Sequence, residues 1–92
     1  MRLLLNSQVK YISQQMYDVL FTLKEIGLGH GDFHDENIMI DPNNLKIVVI
    51  DLGNCINLYD LDTEELTQDG FNQEDWDFFE IIKSQLNNLT KY

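Results

Sequence analysis

Apolar positions in the first part of the chain recur every three or four residues: Val9, Ile12, Met16, Val19, Leu20, Leu23 and Ile26, with Lys10, Gln14, Asp18 and Lys24 on the intervening faces. That period is helical, so residues 6–28 are expected to form an amphipathic helix that buries one stripe. Asn6 or Ser7 supplies a start cap, Gly27 can close the end in the left-handed conformation, and Lys24 sits near the negative pole. Met1–Leu5 carries too little pattern to place; the remnant of a strand and a frayed end fit equally. Residues 29–36 are polar and irregular, and then the period changes. Asn37-Ile38-Met39-Ile40 and Lys46-Ile47-Val48-Val49-Ile50 are strand-forming runs on either side of the turn residues Asp41-Pro42-Asn43-Asn44, so residues 37–50 are expected to form a β-hairpin.

After the hairpin the pattern weakens. Residues 54–72 are expected to be a loop, with one short extended piece between Asn54 and Leu61 and a solvated acidic run over residues 60–69. Residues 73–89 return to a helical period. Trp76, Phe79, Ile82, Leu86 and Leu89 form a stripe that Phe78 and Ile81 widen, so this helix is expected to be buried on most sides. Asn72 and Asp75 have capping-box spacing at its start. The helix is expected to pack beneath residues 30–37, with Asp75 or Asp77 accepting hydrogen bonds from backbone groups of that loop. The order helix, loop, hairpin, loop, helix is that of a small α+β domain.

Charge narrows the partners. The 92 residues carry a formal charge of −10 and a pI near 4.2, which speaks against nucleic acid and against an anionic membrane surface, since both need clustered Lys and Arg. A divalent cation suits such a chain better. The single Cys55 has no intramolecular partner, Leu3-Leu4-Leu5 is too short for a signal-peptide core, and no apolar run reaches the ~18 residues of a membrane span. An intracellular, cytoplasmic protein is expected.

The candidate chemistry lies at the open end of the hairpin. A turn centred between Asn43 and Asn44 returns Asn37 and Asp51 to the same end of an antiparallel pair. Two oxygen-bearing side chains there can share a hard cation such as Mg²⁺ or Mn²⁺, which takes only a few oxygens from a protein. Gly53, two residues on, would let the backbone turn away from the strand. His30 and His34, four apart with Asp32 and Asp35 beside them, offer a different possibility, a zinc or iron site.

His30-Gly31-Asp32-Phe33-His34-Asp35-Glu36-Asn37, followed after the hairpin by Asp51-Leu52-Gly53, resembles the catalytic loop and metal-binding motif of the protein-kinase-like superfamily, in the His-Gly-Asp form found among aminoglycoside phosphotransferases, choline kinases and divergent viral or atypical kinases. The resemblance implies a partial kinase-like C-terminal lobe: a helix before the catalytic loop, the loop over residues 29–36, the hairpin, the metal motif over residues 51–53, and the lobe's central helix. It implies Asp32 as catalytic base, Asn37 and Asp51 as ligands to Mg²⁺ and through it to ATP, and His30 and Gly53 as structural residues of the site. His34 stands where many protein kinases place a lysine that touches the transferred phosphate. The implied reaction is Mg-ATP-dependent phosphoryl transfer to a hydroxyl of a protein or small molecule.

Three departures accompany the resemblance. No glycine-rich phosphate loop or strand lysine lies within these residues, so a partner chain or a further segment would have to supply the nucleotide-binding lobe. Gly31 replaces the arginine that receives a phosphorylated activation loop, and Pro42 is the only proline, so no Ala-Pro-Glu motif follows Asp51. Two alternatives stand beside the phosphotransferase: a catalytically inactive pseudokinase-type interaction module, and a His/Asp metal-dependent hydrolase. The block Gly31-Asp32-Phe33-His34-Asp35 resembles part of the metallophosphoesterases, but no Asp-x-His precedes it and no histidine follows residue 34.

Overall fold

A computed structural model describes residues 4–90 of the chain. It is a small α+β domain with two helices and two small antiparallel sheets. Helix α1 runs Asn6–Glu25 and helix α2 runs Gln73–Asn87. The two pack against each other around one core cluster, to which α1 contributes Val9, Ile12, Met16 and Leu20 and α2 contributes Phe79, Ile82 and Leu86. These are the helical-period positions, because residues three and four apart share a face.

The ends of both helices differ from the expected bounds. Neither Asn6 nor Ser7 caps α1; Leu5 takes the cap position, and the Gln8 side chain accepts the Leu5 amide at 2.8 Å. The helix stops at Glu25 because Gly27, at φ +82°, turns the chain left-handed and its amide closes onto the Lys24 carbonyl at 2.9 Å. Ile26 therefore falls off the buried stripe and is exposed. Leu28–Gly29 then form strand β1, where helix was expected to persist and loop to begin. Helix α2 ends two residues early, at Asn87, and Ile81 is exposed, so its burial is one broad stripe and not most of its circumference. Of Met1–Leu5, residues 1–3 lie outside the described residues, while Leu4 is buried and donates to the Leu89 carbonyl at 2.7 Å.

Strands β2 (Ile38–Ile40) and β3 (Ile47–Val49) pair with Ile38 opposite Val49 and Ile40 opposite Ile47. That register centres the hairpin between Asn43 and Asn44. Ile38, Ile47 and Val49 pack on the core, and Gln15 of α1 fastens the hairpin from below: its Nε2 donates to the Leu45 carbonyl at 2.8 Å and its Oε1 accepts the Ile47 amide at 3.0 Å. Residues 54–72 are more ordered than a solvated loop. Strand β4 (Ile56–Asn57) pairs with β1, and short 3₁₀ turns at Leu58–Asp60 and Thr63–Glu65 follow it. Leu58 and Phe71 from this segment are buried, which ties it down despite its acidic composition.

Candidate active site

Residues 30–34 alternate between core and surface. His30 and Phe33 are fully buried, their rings edge to face at 5.7 Å, whereas Asp32 and His34 remain partly exposed. Phe33 is thus the anchor that fixes the loop, and the acidic and imidazole groups on either side of it are presented outward. A 3₁₀ turn over Asp35–Asn37 then brings Asn37 back under Asp32. The Asn37 Nδ2 donates to the Asp32 carbonyl at 2.8 Å and to Asp32 Oδ2 at 3.2 Å. His34 Nε2 lies 3.2 Å from the other carboxylate oxygen, Asp32 Oδ1. Asp32, His34 and Asn37 therefore form one contiguous cluster.

The residue before Asp51 is tied to the same loop. The Ile50 amide donates to the Asn37 carbonyl at 2.8 Å, and the Ile50 carbonyl lies 3.0 Å from His30 Nε2. Since the Asp32 amide donates to His30 Nδ1 at 3.1 Å, the His30 ring carries its proton on Nε2 and gives it to Ile50. One buried imidazole thus joins the loop to the end of β3, and both backbone polar groups of Ile50 are held by loop residues. Both nitrogens of His30 are engaged, which leaves none for a metal.

The backbone turn after the hairpin is made differently from the expected way. Asp51 itself is left-handed, at φ +61° and ψ +53°, and Gly53 sits in the following 3₁₀ turn Leu52–Asn54 without a positive φ. A β-carbon on Gly53 would meet only Asp51 Oδ1 at 3.9 Å, so the site does not need glycine there. It does need glycine at 31. Gly31 has φ +85°, and a β-carbon would overlap the Asn54 carbonyl oxygen, so no arginine can occupy this backbone.

Helix α2 lies beneath the loop and holds it by one carboxylate. Asp75 is buried, its Oδ2 accepting the His30 amide at 2.7 Å and its Oδ1 the Gly31 amide at 3.0 Å. Burial raises its carboxyl above the ordinary value, and the two amides and the Asn72 side chain pull it back part of the way. Asn72 makes no side-chain cap to α2; its side chain bonds the Asp75 carboxylate instead. Asp77 accepts from Gln73 on its own helix. The residues that sequence patterning missed are Gln15, Asn54 and Ile50; two of these act through backbone atoms, which have no sequence signature.

Two side-chain oxygens of the kind that hard cations take are present, on Asn37 and Asp51. With its NH₂ turned to Asp32, Asn37 has its Oδ1 left as the oxygen to offer, and the exposed Asp51 carboxylate is touched by Asn54 Nδ2 only at 3.5 Å. Magnesium commonly takes one or two such oxygens and completes its shell with water and phosphate. Among the described residues no three His, Cys, Asp or Glu side chains converge as they would around a metal ion bound by protein alone. No helix among them is long and apolar enough to cross a membrane. No family model, curated protein or solved structure matches the chain.

Proposed function

We propose that these residues form the acceptor and metal half of a kinase-like phosphoryl-transfer site. The observation that supports this is the double tether of Ile50, the residue before Asp51, to Asn37 and His30 of the loop that presents Asp32. Asn37 Oδ1 and the Asp51 carboxylate would hold Mg²⁺ or Mn²⁺, whose chemistry there is to neutralise charge on the phosphates of ATP. Asp32 would orient the acceptor hydroxyl and take its proton. The hydroxyl oxygen then bonds to the terminal phosphorus, the bond to the leaving diphosphate oxygen breaks, and ADP departs with that electron pair. His30, Phe33 and Asp75 hold these groups in place without touching a reactant.

The inactive interaction module has its own support, an apolar face on the outside of the hairpin. Met39 and Val48 are register partners, and both are well over half exposed, at 60% and 58%. A phosphotransferase half-site and a partner-binding face are compatible, since the missing nucleotide-binding elements would need a surface to rest on.

Titration calorimetry with MgCl₂ and MnCl₂ tests the metal assignment. Weak binding of both ions is expected, lost in Asp51→Ala, with no preference for zinc. Equal binding by wild type and Asp51→Ala, or tight zinc binding lost in His34→Ala, would sink it.

A further inference from the structure

The atoms around the His34 ring decide where its proton sits. Nδ1 lies 3.2 Å from the Glu36 amide, which can only donate. Nε2 lies 3.2 Å from Asp32 Oδ1, which as a carboxylate oxygen accepts, and 3.4 Å from Asn37 Nδ2. With the proton on Nε2, the ring accepts the Glu36 amide at 3.2 Å, turns its N–H to the Asp32 carboxylate oxygen 3.2 Å away, and tolerates one long approach between donors. With it on Nδ1, N–H faces N–H at Glu36, lone pair faces carboxylate at Asp32, and only the 3.4 Å contact remains. Two shorter bonds outweigh one longer contact. Phe78 of α2 stands edge-on to the ring at 6.0 Å and 72°, flanking it from below.

We infer that His34 is a positioning residue for Asp32: its Nε2–H holds one oxygen of the carboxylate whose other oxygen Asn37 holds. It is not a proton relay. A relay would need to accept from Asp32 at Nε2, which already carries hydrogen, and the remaining nitrogen is taken up by the Glu36 amide. Nor does it reproduce a lysine that reaches for phosphate, because both of its nitrogens are turned to its own loop. The role in catalysis rests on the phosphoryl-transfer proposal above, but the hydrogen bond and the tautomer do not.

The test is NMR of the 92-residue chain in metal-free buffer at mildly alkaline pH. Ring ¹⁵N shifts for His34 are expected to show a protonated Nε2 and an unprotonated Nδ1. The ¹³Cγ resonance of Asp32 should stay at its wild-type position in His34→Gln, whose amide NH₂ takes the place of Nε2–H, and move in His34→Ala. The Ile50 amide, bonded to the Asn37 carbonyl and expected to be unchanged in both variants, reports that the loop remains folded, while the Asp32 ¹³Cγ resonance separates the hydrogen bond from a merely structural role. An Nδ1–H tautomer, or an Asp32 ¹³Cγ that His34→Ala leaves in place, overturns the inference. The tautomer needs no variant, so it decides the matter even where a substitution unfolds the chain. A failed magnesium titration would remove the phosphotransferase proposal and leave these spectra as they are.

Discussion

At the scale of single residues, Asp75 is the side chain on which the loop's position depends most. Its carboxylate takes two loop amides from inside the core, where burial disfavours charge and hydrogen bonds favour it. The net effect is a carboxyl raised above its ordinary value. Between that ordinary value and the raised one, the folded chain keeps a proton that the unfolded chain has released. The Asp75 contribution to stability therefore declines as pH rises through that window. Asp75→Asn offers one acceptor oxygen to two amides, leaving a buried donor unpaired at a cost of about 1–3 kcal/mol, and it cannot titrate. Urea denaturation of both proteins at about pH 3.5 and about pH 6 should show the wild-type advantage shrinking as pH rises. An advantage that grows would mean that the two amides outweigh burial and hold the carboxyl low.

At the scale of elements, the hairpin is the unusual one, because it is apolar on both faces. Alternation along a strand sends Ile47 and Val49 to the core and leaves Val48 outward, beside Met39 across the register and Ile50 two residues on. A protein of charge −10 has every means to keep such a face polar, so its apolar character favours contact with another surface. Val48→Lys should leave stability within about 0.5 kcal/mol, as exposed substitutions do. It should also reduce binding of an apolar dye and any self-association seen in sedimentation. A wild-type chain that binds no dye and sediments as a monomer at all concentrations would show that the face is inert.

At the scale of the whole molecule, the site is shallow. The body measures 42 × 23 × 19 Å, and the Asp32 and His34 side chains are about a third exposed, at 35% and 30%. Charge interactions at such a surface are screened by water. Within these 92 residues there is no glycine-rich loop or strand lysine to position the nucleotide phosphates, and positioning is most of what phosphoryl transfer needs. Incubation of the 92-residue chain with labelled ATP, Mg²⁺ and protein or aminoglycoside acceptors should therefore give no transfer above that of Asp32→Ala. Robust turnover abolished by Asp32→Ala would show that this half-site positions the nucleotide unaided.

Local pattern determined the helices and the hairpin, because each is specified by short-range spacing: Val9 to Leu20 at helical steps, and Ile38-Met39-Ile40 and Ile47-Val48-Val49 on either side of a turn whose residues suit it. The hairpin register was legible for the same reason, since a turn centre fixes which residues stand opposite. The stop of the first helix was legible in Gly27, which takes the left-handed conformation expected of it, but the cap at Leu5 and the end of the second helix at Asn87 were not. Only the tertiary structure decided how the loop is held. That Asp75 and not Asp77 turns to two loop amides, and that the His30 ring donates to the Ile50 carbonyl, are outcomes of competition between partners far apart in sequence, and that Asp51 rather than Gly53 takes the left-handed conformation follows from how the strand end is held. The choice among such partners is made by burial, which penalises whichever polar group is left unpaired, and burial exists only once the helices have packed.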